Sequence, residues 1–308
     1  MAGDLTDAGE VAIFLLDYIA SSGNYDFDGF SSYWYQQILD GYGSCNFQTS
    51  KNSQCPPNSK PGYLNGGTRR TVLALESNPN AKGEVRKSLA ADVNCLVAAT
   101  HFLPLFFIYS DQEELVKQSK STVYLSHKNR DPVFAAEFLS RALYNILYEN
   151  MELEVALDVA SIATNDEFIK QKLNDVKNKV IEVLDLSSAL SKEEFVDDIA
   201  LTSMARLWDV GKSEPIKVGK ASPTEGALPG ALYFTLKYKH SLEKALIANA
   251  NCGGDSAARG IVVGMLLGAI HGSSAIPSRW LDKLRSLNHV KKQFDIIRNN
   301  NNNIKNEL

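Results

Sequence analysis

The sequence predicts an all-α fold, a compact orthogonal bundle of many helices. Apolar residues recur at three- and four-residue intervals along most of the chain, the spacing of a helix with one buried face. No stretch shows the strict alternation of a half-buried strand. Residues 249–260 (NANCGGDSAARG) precede the apolar run 261–270. Small residues recur through this run, which predicts a helix buried on nearly all sides, with its glycines at crowded contacts.

Residues 7–109 contain four predicted helical stretches. The helix at residues 7–21 carries one apolar face, formed by Val11, Phe14, Leu15, Tyr18 and Ile19. A short helix follows at 29–39. Residues 41–67 hold three prolines and many small polar residues, which predicts a long surface loop. Helical patterns resume at 68–76 and 82–109, the latter kinked or divided at Pro104.

From Asp111 onward the sequence also predicts helices, with clear start signals. Asp111 is placed to cap a helix over 111–126, and Asp131-Pro132 begins the next with proline in its first turn. Further helices are predicted at residues 152–162, 166–184 and 192–208, a loop at 210–229, short helices before the glycine pair, and a last helix from Pro277. We expect one domain over residues 1–295 and a disordered asparagine-rich tail over 296–308.

Composition excludes several classes of protein. A net charge of −4 and a pI of about 5.8 argue against a nucleic-acid partner. No apolar run has the roughly 20 residues of a membrane helix, so no membrane partner is expected. The start of the chain lacks signal-peptide features, and the four cysteines form no zinc-site spacing. These observations predict a cytoplasmic protein with reduced thiols.

Two motifs are candidates for chemistry. Gly253 and Gly254 permit a tight turn, and Asp255 follows them where it can cap the next helix or face a ligand. Near the start of the chain, Thr6 and Asp7 also open a predicted helix. Residues 253–257 (GGDSA) resemble the C-terminal G-G-D-T-D-T motif of the ADP-ribosylglycohydrolase family, and residues 5–10 (LTDAGE) resemble its N-terminal T-D-D-T motif.

The resemblance spans roughly residues 5–287 and is closest to a divergent branch that includes the jellyfish J-crystallins and selenoprotein J. It implies an all-α fold of the ADP-ribosylglycohydrolase type. It also implies a small-molecule or protein-linked ADP-ribose as ligand, held beside two magnesium ions. Thr6, Asp7 and Asp255 match metal-ligand positions, and the two aspartates are the predicted catalytic residues. Gly253, Gly254, His127 and Arg259 are the other residues predicted to bind the ligand.

The departures from the family motifs weaken the metal site. Ala8, Ala257 and Ala258 stand where the family has two aspartates and a threonine. Mg²⁺ requires oxygen ligands in near-octahedral geometry at about 2.0–2.1 Å, and alanine supplies none. We therefore expect one loosely held magnesium ion or none, and not a tight pair.

Arg259 and His127 each carry two interpretations. Arg259 lies four residues after Asp255, so its guanidinium could occupy the metal volume and neutralise Asp7 and Asp255. The alternative is an ordinary salt bridge to another carboxylate. His127 resembles the family's Thr-His near the ligand, or else it is a helix-end or surface residue.

The position of the first motif also departs from the family, which has some tens of residues before it. Either the chain is a shortened member or its start lies upstream. In the first case a homodimer would cover the apolar surface that a missing helix leaves.

Two functions follow from these observations. The first is hydrolysis of an ADP-ribosyl glycosidic bond with a degenerate metal site, in which metal would position the ribose and activate water. The second is a non-catalytic, crystallin-like or ligand-binding relative, a pseudoenzyme that keeps the fold and loses the two-metal chemistry. The three alanines favour the second function, whereas Thr6, Asp7 and Asp255 favour a surviving pocket.

Overall fold

The protein is almost entirely helical in the computed structural model, which describes residues 3–42, 63–204, 207–208, 216–217 and 220–306. The predicted all-α class is therefore confirmed. Two short antiparallel strands, β1 (Leu207–Trp208) and β2 (Ile216–Lys217), pair with each other. Among the described helices, none combines the length and the apolarity needed to cross a bilayer.

The chain forms two compact units. Unit 1 comprises Met1–Val93, His101–Asn129 and Asp282–Leu308, and unit 2 comprises Asn94–Thr100 and Arg130–Leu281. Each unit draws on segments that are distant in sequence. The single domain over residues 1–295 stays a prediction.

Unit 1 is built around its first helix. Its helices are α1 (Asp7–Ser22), α2 (Phe27–Tyr42), α3 (Gly66–Glu76), α4 (Gly83–Ser88), α5 (Gln112–Val123) and α14 (Leu287–Asn306). Leu15, Leu16 and Ile19 form the buried face of α1. Helices α2 and α14 and the 3₁₀ segment Leu103–Phe107 pack against α1. Val11, Leu15 and Ile19 of the predicted face are buried, whereas Phe14 and Tyr18 are only half-buried and Leu16 is buried without having been predicted.

Unit 2 has helix α6 as a central element. Its helices are α6 (Arg130–Leu147), α7 (Leu153–Thr164), α8 (Glu167–Leu184), α9 (Val196–Ser203), α10 (Thr224–Lys237), α11 (Leu242–Asn251), α12 (Ser256–His271) and α13 (Ser278–Leu281). Helix α6 packs against α7, α12 and the 3₁₀ segment Leu96–Thr100. Helix α12 also packs against α10 and α11. These contacts fix the position of α12, and the glycine pair lies directly before its N-cap residue, Asp255.

Several predicted elements differ from the observed ones. The predicted helix at 82–109, expected to be kinked or divided at Pro104, is instead divided into α4 and two 3₁₀ segments, and Pro104 lies in the first turn of the second of them. The predicted loop at 41–67 lies mostly outside the described residues, and its ends belong to α2 and α3. The loop predicted at 210–229 overlaps α10, which contains Pro229. Helix α14 continues to Asn306, where the sequence predicted a disordered tail over 296–308.

The glycines of α12 are not all at crowded contacts. A Cβ built at Gly260 would lie 3.3 Å from Asn249 Nδ2, which is close packing. No described atom comes within 4 Å of a Cβ built at Gly264 or Gly268. The prediction of crowding is therefore wrong for these two positions. The helix is also not buried along its whole length, since Ile270 near its end is exposed.

Candidate functional site

The first motif opens α1 in unit 1. The Thr6 hydroxyl oxygen caps the helix by accepting a hydrogen bond of 3.4 Å from the Gly9 backbone N–H. Asp7, the first residue of α1, accepts a 2.8 Å hydrogen bond at Oδ2 from the backbone N–H of Asn65. Thr6 is exposed and Asp7 is half-buried. Both side chains therefore serve the local structure and remain reachable from solvent.

His127 lies in the same unit, against the first turn of α3. Asn65 caps α3 by accepting from the Gly67 N–H at 2.7 Å. A Cβ added to Gly67 would be 2.3 Å from His127 Nε2, so the imidazole packs directly on this glycine. A series of contacts thus joins Asp7 to Asn65, Gly67 and His127.

The His127 ring is completely buried, unlike the surface residue that one interpretation predicted. Its Nδ1 is 2.8 Å from Ser126 Oγ, and its Nε2 has no hydrogen-bond partner among the described residues. Burial, and then the nearby His101, lower the pKa of His127 to about 3. The ring is therefore neutral near pH 7. Its role in ligand binding stays a prediction.

The second motif lies in unit 2 as a left-handed turn before α12. Gly253 and Gly254 have φ angles of +67° and +68°. The Asp255 N–H donates to the Lys220 carbonyl oxygen at 2.7 Å, and Asp255 Oδ1 accepts from the Ala258 N–H at 3.1 Å. Asp255 is therefore a helix N-cap. This bond places the turn directly against the backbone of Lys220.

Arg259 projects into the interior of this turn and is completely buried. Its Nε donates to Asn249 Oδ1 at 2.8 Å, its Nη1 to the Lys220 carbonyl at 3.3 Å, and its Nη2 to the Gly253 carbonyl at 2.5 Å. Burial lowers the pKa of Arg259, while the charge of Asp255 opposes this shift. The guanidinium therefore connects the end of α11, the turn and the Lys220 backbone.

Both interpretations of Arg259 need correction within unit 2. The guanidinium makes no ion pair with Asp255, and its three acceptors are neutral oxygens instead of a second carboxylate. The direction and length of the Arg259 side chain explain these contacts. A side chain one helical turn after Asp255 extends back towards the start of α12, where the carbonyl groups of the turn point inward.

The two glycines of the turn allow a stability prediction. We expect Gly254→Ala to lower the free energy of unfolding by about 2 kcal/mol more than Gly253→Ala does. Both changes add the cost of about 1–2 kcal/mol for a left-handed alanine. Only at Gly254 would the new Cβ also lie 2.0 Å from the Lys220 carbonyl oxygen, whereas no described atom is near the Cβ at Gly253. Urea unfolding of both variants measures the difference, and equal costs would contradict this geometry.

The donor set of the glycine turn does not fit a magnesium ion. The Gly253 and Lys220 carbonyl oxygens accept from Arg259, and Asp255 Oδ1 accepts from Ala258. The buried guanidinium adds a fixed positive charge beside the single remaining carboxylate, which repels a divalent cation. Within the described ranges no three His, Cys, Asp or Glu side chains form a group that could hold a metal ion. The expectation of one ion or none stays a prediction.

Sequence reasoning did not find four residues that organise these two regions: Asn65, Gly67, Lys220 and Asn249. Asn65 and Gly67 fell at the end of a predicted loop, and Lys220 fell inside another. Asn249 belongs to the stretch 249–260 that precedes the apolar run, but nothing in the sequence indicates that its side-chain amide contacts Arg259. Its Nδ2 also donates to the Ser256 carbonyl at 2.8 Å, so it bridges α11 and α12.

Comparisons with known proteins agree with this architecture. The family model described as ADP-ribosylglycohydrolase matches residues 1–303. A solved chain described as "ADP-ribosylglycohydrolase-related protein complex" is similar with a TM-score of 0.62 and 17% identity, over 96% of this chain and 81% of that chain. At this identity the likeness concerns the fold alone. A search of curated proteins finds no match. Because the family model covers almost the whole sequence, the chain belongs to the ADP-ribosylglycohydrolase family.

Proposed function

We propose that this protein binds an ADP-ribose ligand, free or protein-linked, without the two-magnesium hydrolysis that the family motifs imply. The buried Arg259 carries this proposal, because its guanidinium donates to the Gly253 carbonyl of the turn and to the neighbouring Lys220 carbonyl, and adds a positive charge there. Ala8, Ala257 and Ala258 support it, since each removes an oxygen donor. A crystallin-like role and a cytoplasmic location belong to the same proposal.

A second candidate function is hydrolysis of the ADP-ribosyl glycosidic bond with a single magnesium ion. One observation favours it: Thr6 is exposed and Asp7 is only half-buried, so both oxygen-bearing side chains can be reached from solvent. Such an ion would keep several water ligands, as Mg²⁺ does in sites with few carboxylates. The two functions differ in whether metal is needed.

Calorimetry separates these functions. The protein is titrated with ADP-ribose in Mg²⁺ and in EDTA, and both preparations are assayed for release of ADP-ribose from an ADP-ribosylated arginine. We expect binding whose dissociation constant changes by less than about twofold with magnesium, a difference below about 0.4 kcal/mol, and no release. Asp7→Asn serves as the matched variant.

Three outcomes would contradict the proposal. Release that stops in EDTA and in Asp7→Asn would establish the single-ion hydrolase. Binding that requires magnesium would show that an intact metal site holds the ligand. An absence of heat with ADP-ribose in both buffers would remove the ligand-binding function and leave only the family fold.

A further inference from the structure

A cavity in unit 2 lies between the start of α9 and the outer face of α11. Its volume is about 700 Å³. Its lining includes Phe195, Asp197, Asp198, Tyr238, Ile247 and Cys252. We call it the α9–α11 cavity. It is large enough for a small organic molecule, since ligand pockets commonly measure about 300–1,000 Å³.

The walls of the α9–α11 cavity are apolar and open to solvent. Phe195 is 67% exposed and Ile247 is 42% exposed, although both are large apolar side chains. Ala248 and Val196 continue the lining. An aliphatic chain of a ligand would remove this apolar surface from water, which is favourable by about 25 cal/mol per Å².

The α9–α11 cavity also contains carboxylates. Asp197 accepts hydrogen bonds from the hydroxyl groups of Tyr233 at 2.8 Å and Tyr238 at 2.7 Å, and it forms an ion pair with Lys237. Asp198 is paired with Lys220 and is 39% exposed. Two further charged residues, Glu194 and Lys244, belong to the lining, and both are exposed. The lining itself therefore has three carboxylates and one ammonium group.

The Cys252 thiol lies beside these carboxylates in the lining of the α9–α11 cavity. Burial raises the pKa of this thiol to about 11, and the negative charges of Asp197 and Asp198 act in the same direction, opposed by Arg259 and Lys220. The Tyr238 ring already has the Lys237 ammonium 5.0 Å from its centroid, so its face is compatible with a cation.

We propose that the α9–α11 cavity binds an organic cation: a protonated primary amine or guanidinium carried on an aliphatic chain. The cationic group lies beside Asp198 and Tyr238, and the chain lies between Phe195 and Ile247. Asp198 is the charged contact, because it is the more exposed of the two paired aspartates. This proposal does not rest on ADP-ribose binding, since it is argued from the lining of the α9–α11 cavity alone.

Charged thiol reagents test the sign of the potential. Cys252 is labelled with cationic 2-aminoethyl methanethiosulfonate and with anionic 2-sulfonatoethyl methanethiosulfonate, and peptide mass spectrometry follows that residue alone. The ratio of the two rates is divided by the same ratio for the urea-unfolded chain. We expect the cationic reagent to be favoured by about tenfold at low salt, with a smaller preference at high salt.

Two variants with opposite charge changes sharpen this experiment. Asp198→Asn removes a negative charge and should lower the rate ratio by about fivefold. Lys244→Gln removes a positive charge from the same lining and should raise it. Asp185→Asn, an exposed carboxylate outside the lining, is the control and should leave the ratio unchanged. Because Lys244 is exposed, its variant keeps the test valid even if Asp198→Asn fails to fold.

Binding itself is tested with n-pentylamine. The amine should slow the labelling of Cys252 more than n-pentanol does at the same concentration, because the alcohol has the same apolar chain but lacks the charge. Equal protection by both compounds would show that the cavity binds apolar chains without regard to charge, which would overturn the proposal. A lack of protection by the amine, or an equal or faster reaction with the anionic reagent, would also overturn it.

Discussion

Replacing Arg259 with methionine is expected to lower the free energy of unfolding by about 3–5 kcal/mol. The guanidinium is completely buried and donates to Asn249, Lys220 and Gly253. Methionine retains most of the apolar stem but removes the donor from Asn249 Oδ1 and from the Gly253 carbonyl, while the Lys220 carbonyl keeps its bond from the Asp255 N–H. Each buried unsatisfied group costs about 1–3 kcal/mol. Urea denaturation monitored by circular dichroism gives the difference directly.

Two further variants control for charge and for size. Arg259→Lys keeps the charge but has a single ammonium, which cannot form the three separated hydrogen bonds, so we expect a loss close to that of methionine. Arg279→Met is the matched surface change, since Arg279 is exposed and paired with Glu243; it should cost less than about 1 kcal/mol. A loss at Arg259 as small as that at Arg279 would show that the turn does not depend on the guanidinium.

The second large effect is a loss of stability in acid. Burial lowers the pKa of His101 from 6.5 to about 4, and burial together with His101 lowers that of His127 to about 3. Below about pH 6.5 the unfolded chain binds protons at these residues and the folded chain does not, so acid favours unfolding. Between pH 7 and pH 5 we expect the free energy of unfolding to fall by about 4 kcal/mol, about 2 kcal/mol for each ring.

To assign this acid effect to particular residues, the change in the free energy of unfolding between pH 7 and pH 5 is measured for each variant. His101→Gln and His127→Gln should each reduce the loss between pH 7 and pH 5 by about 2 kcal/mol, because glutamine does not titrate. The exposed His240→Gln should leave the loss unchanged. Equal pH dependence in the wild type and in the double variant at residues 101 and 127 would show that other groups cause the acid effect.

Local features of the sequence were predictable where nearby residues determine the structure. Thr6, Asp111 and Asp166 each cap the helix that follows them, and the starts of α1, α5 and α8 agree with their predicted positions within one residue. A cap depends on a side chain and the backbone two or three residues later, so the chain order contains the necessary information. The helical class follows from the same local periodicity.

The interrupted stretch from residue 82 to residue 109 was not predictable in this way. Every residue of the 3₁₀ turn at Leu96–Thr100 is buried, and a second 3₁₀ turn follows at Leu103–Phe107. The Leu96 N–H donates to the Ser222 carbonyl at 3.0 Å. A backbone N–H that donates to a remote segment does not need a hydrogen-bond acceptor within an α-helix of its own segment. The residues around Leu96 give no indication of such a remote acceptor.

The loss of side-chain oxygen donors from the two motifs follows from the order of the amino acids. The methyl side chains of Ala8, Ala257 and Ala258 cannot ligate a metal in any fold. The contacts of Arg259, in contrast, depend on how the helices pack. Its partners Asn249 and Lys220 lie 10 and 39 residues away along the chain, and packing of α11 and the Lys220 segment beside α12 brings their oxygens to the guanidinium. A buried cation must satisfy its donors wherever acceptors lie in space, so its role depends on packing and not on sequence spacing.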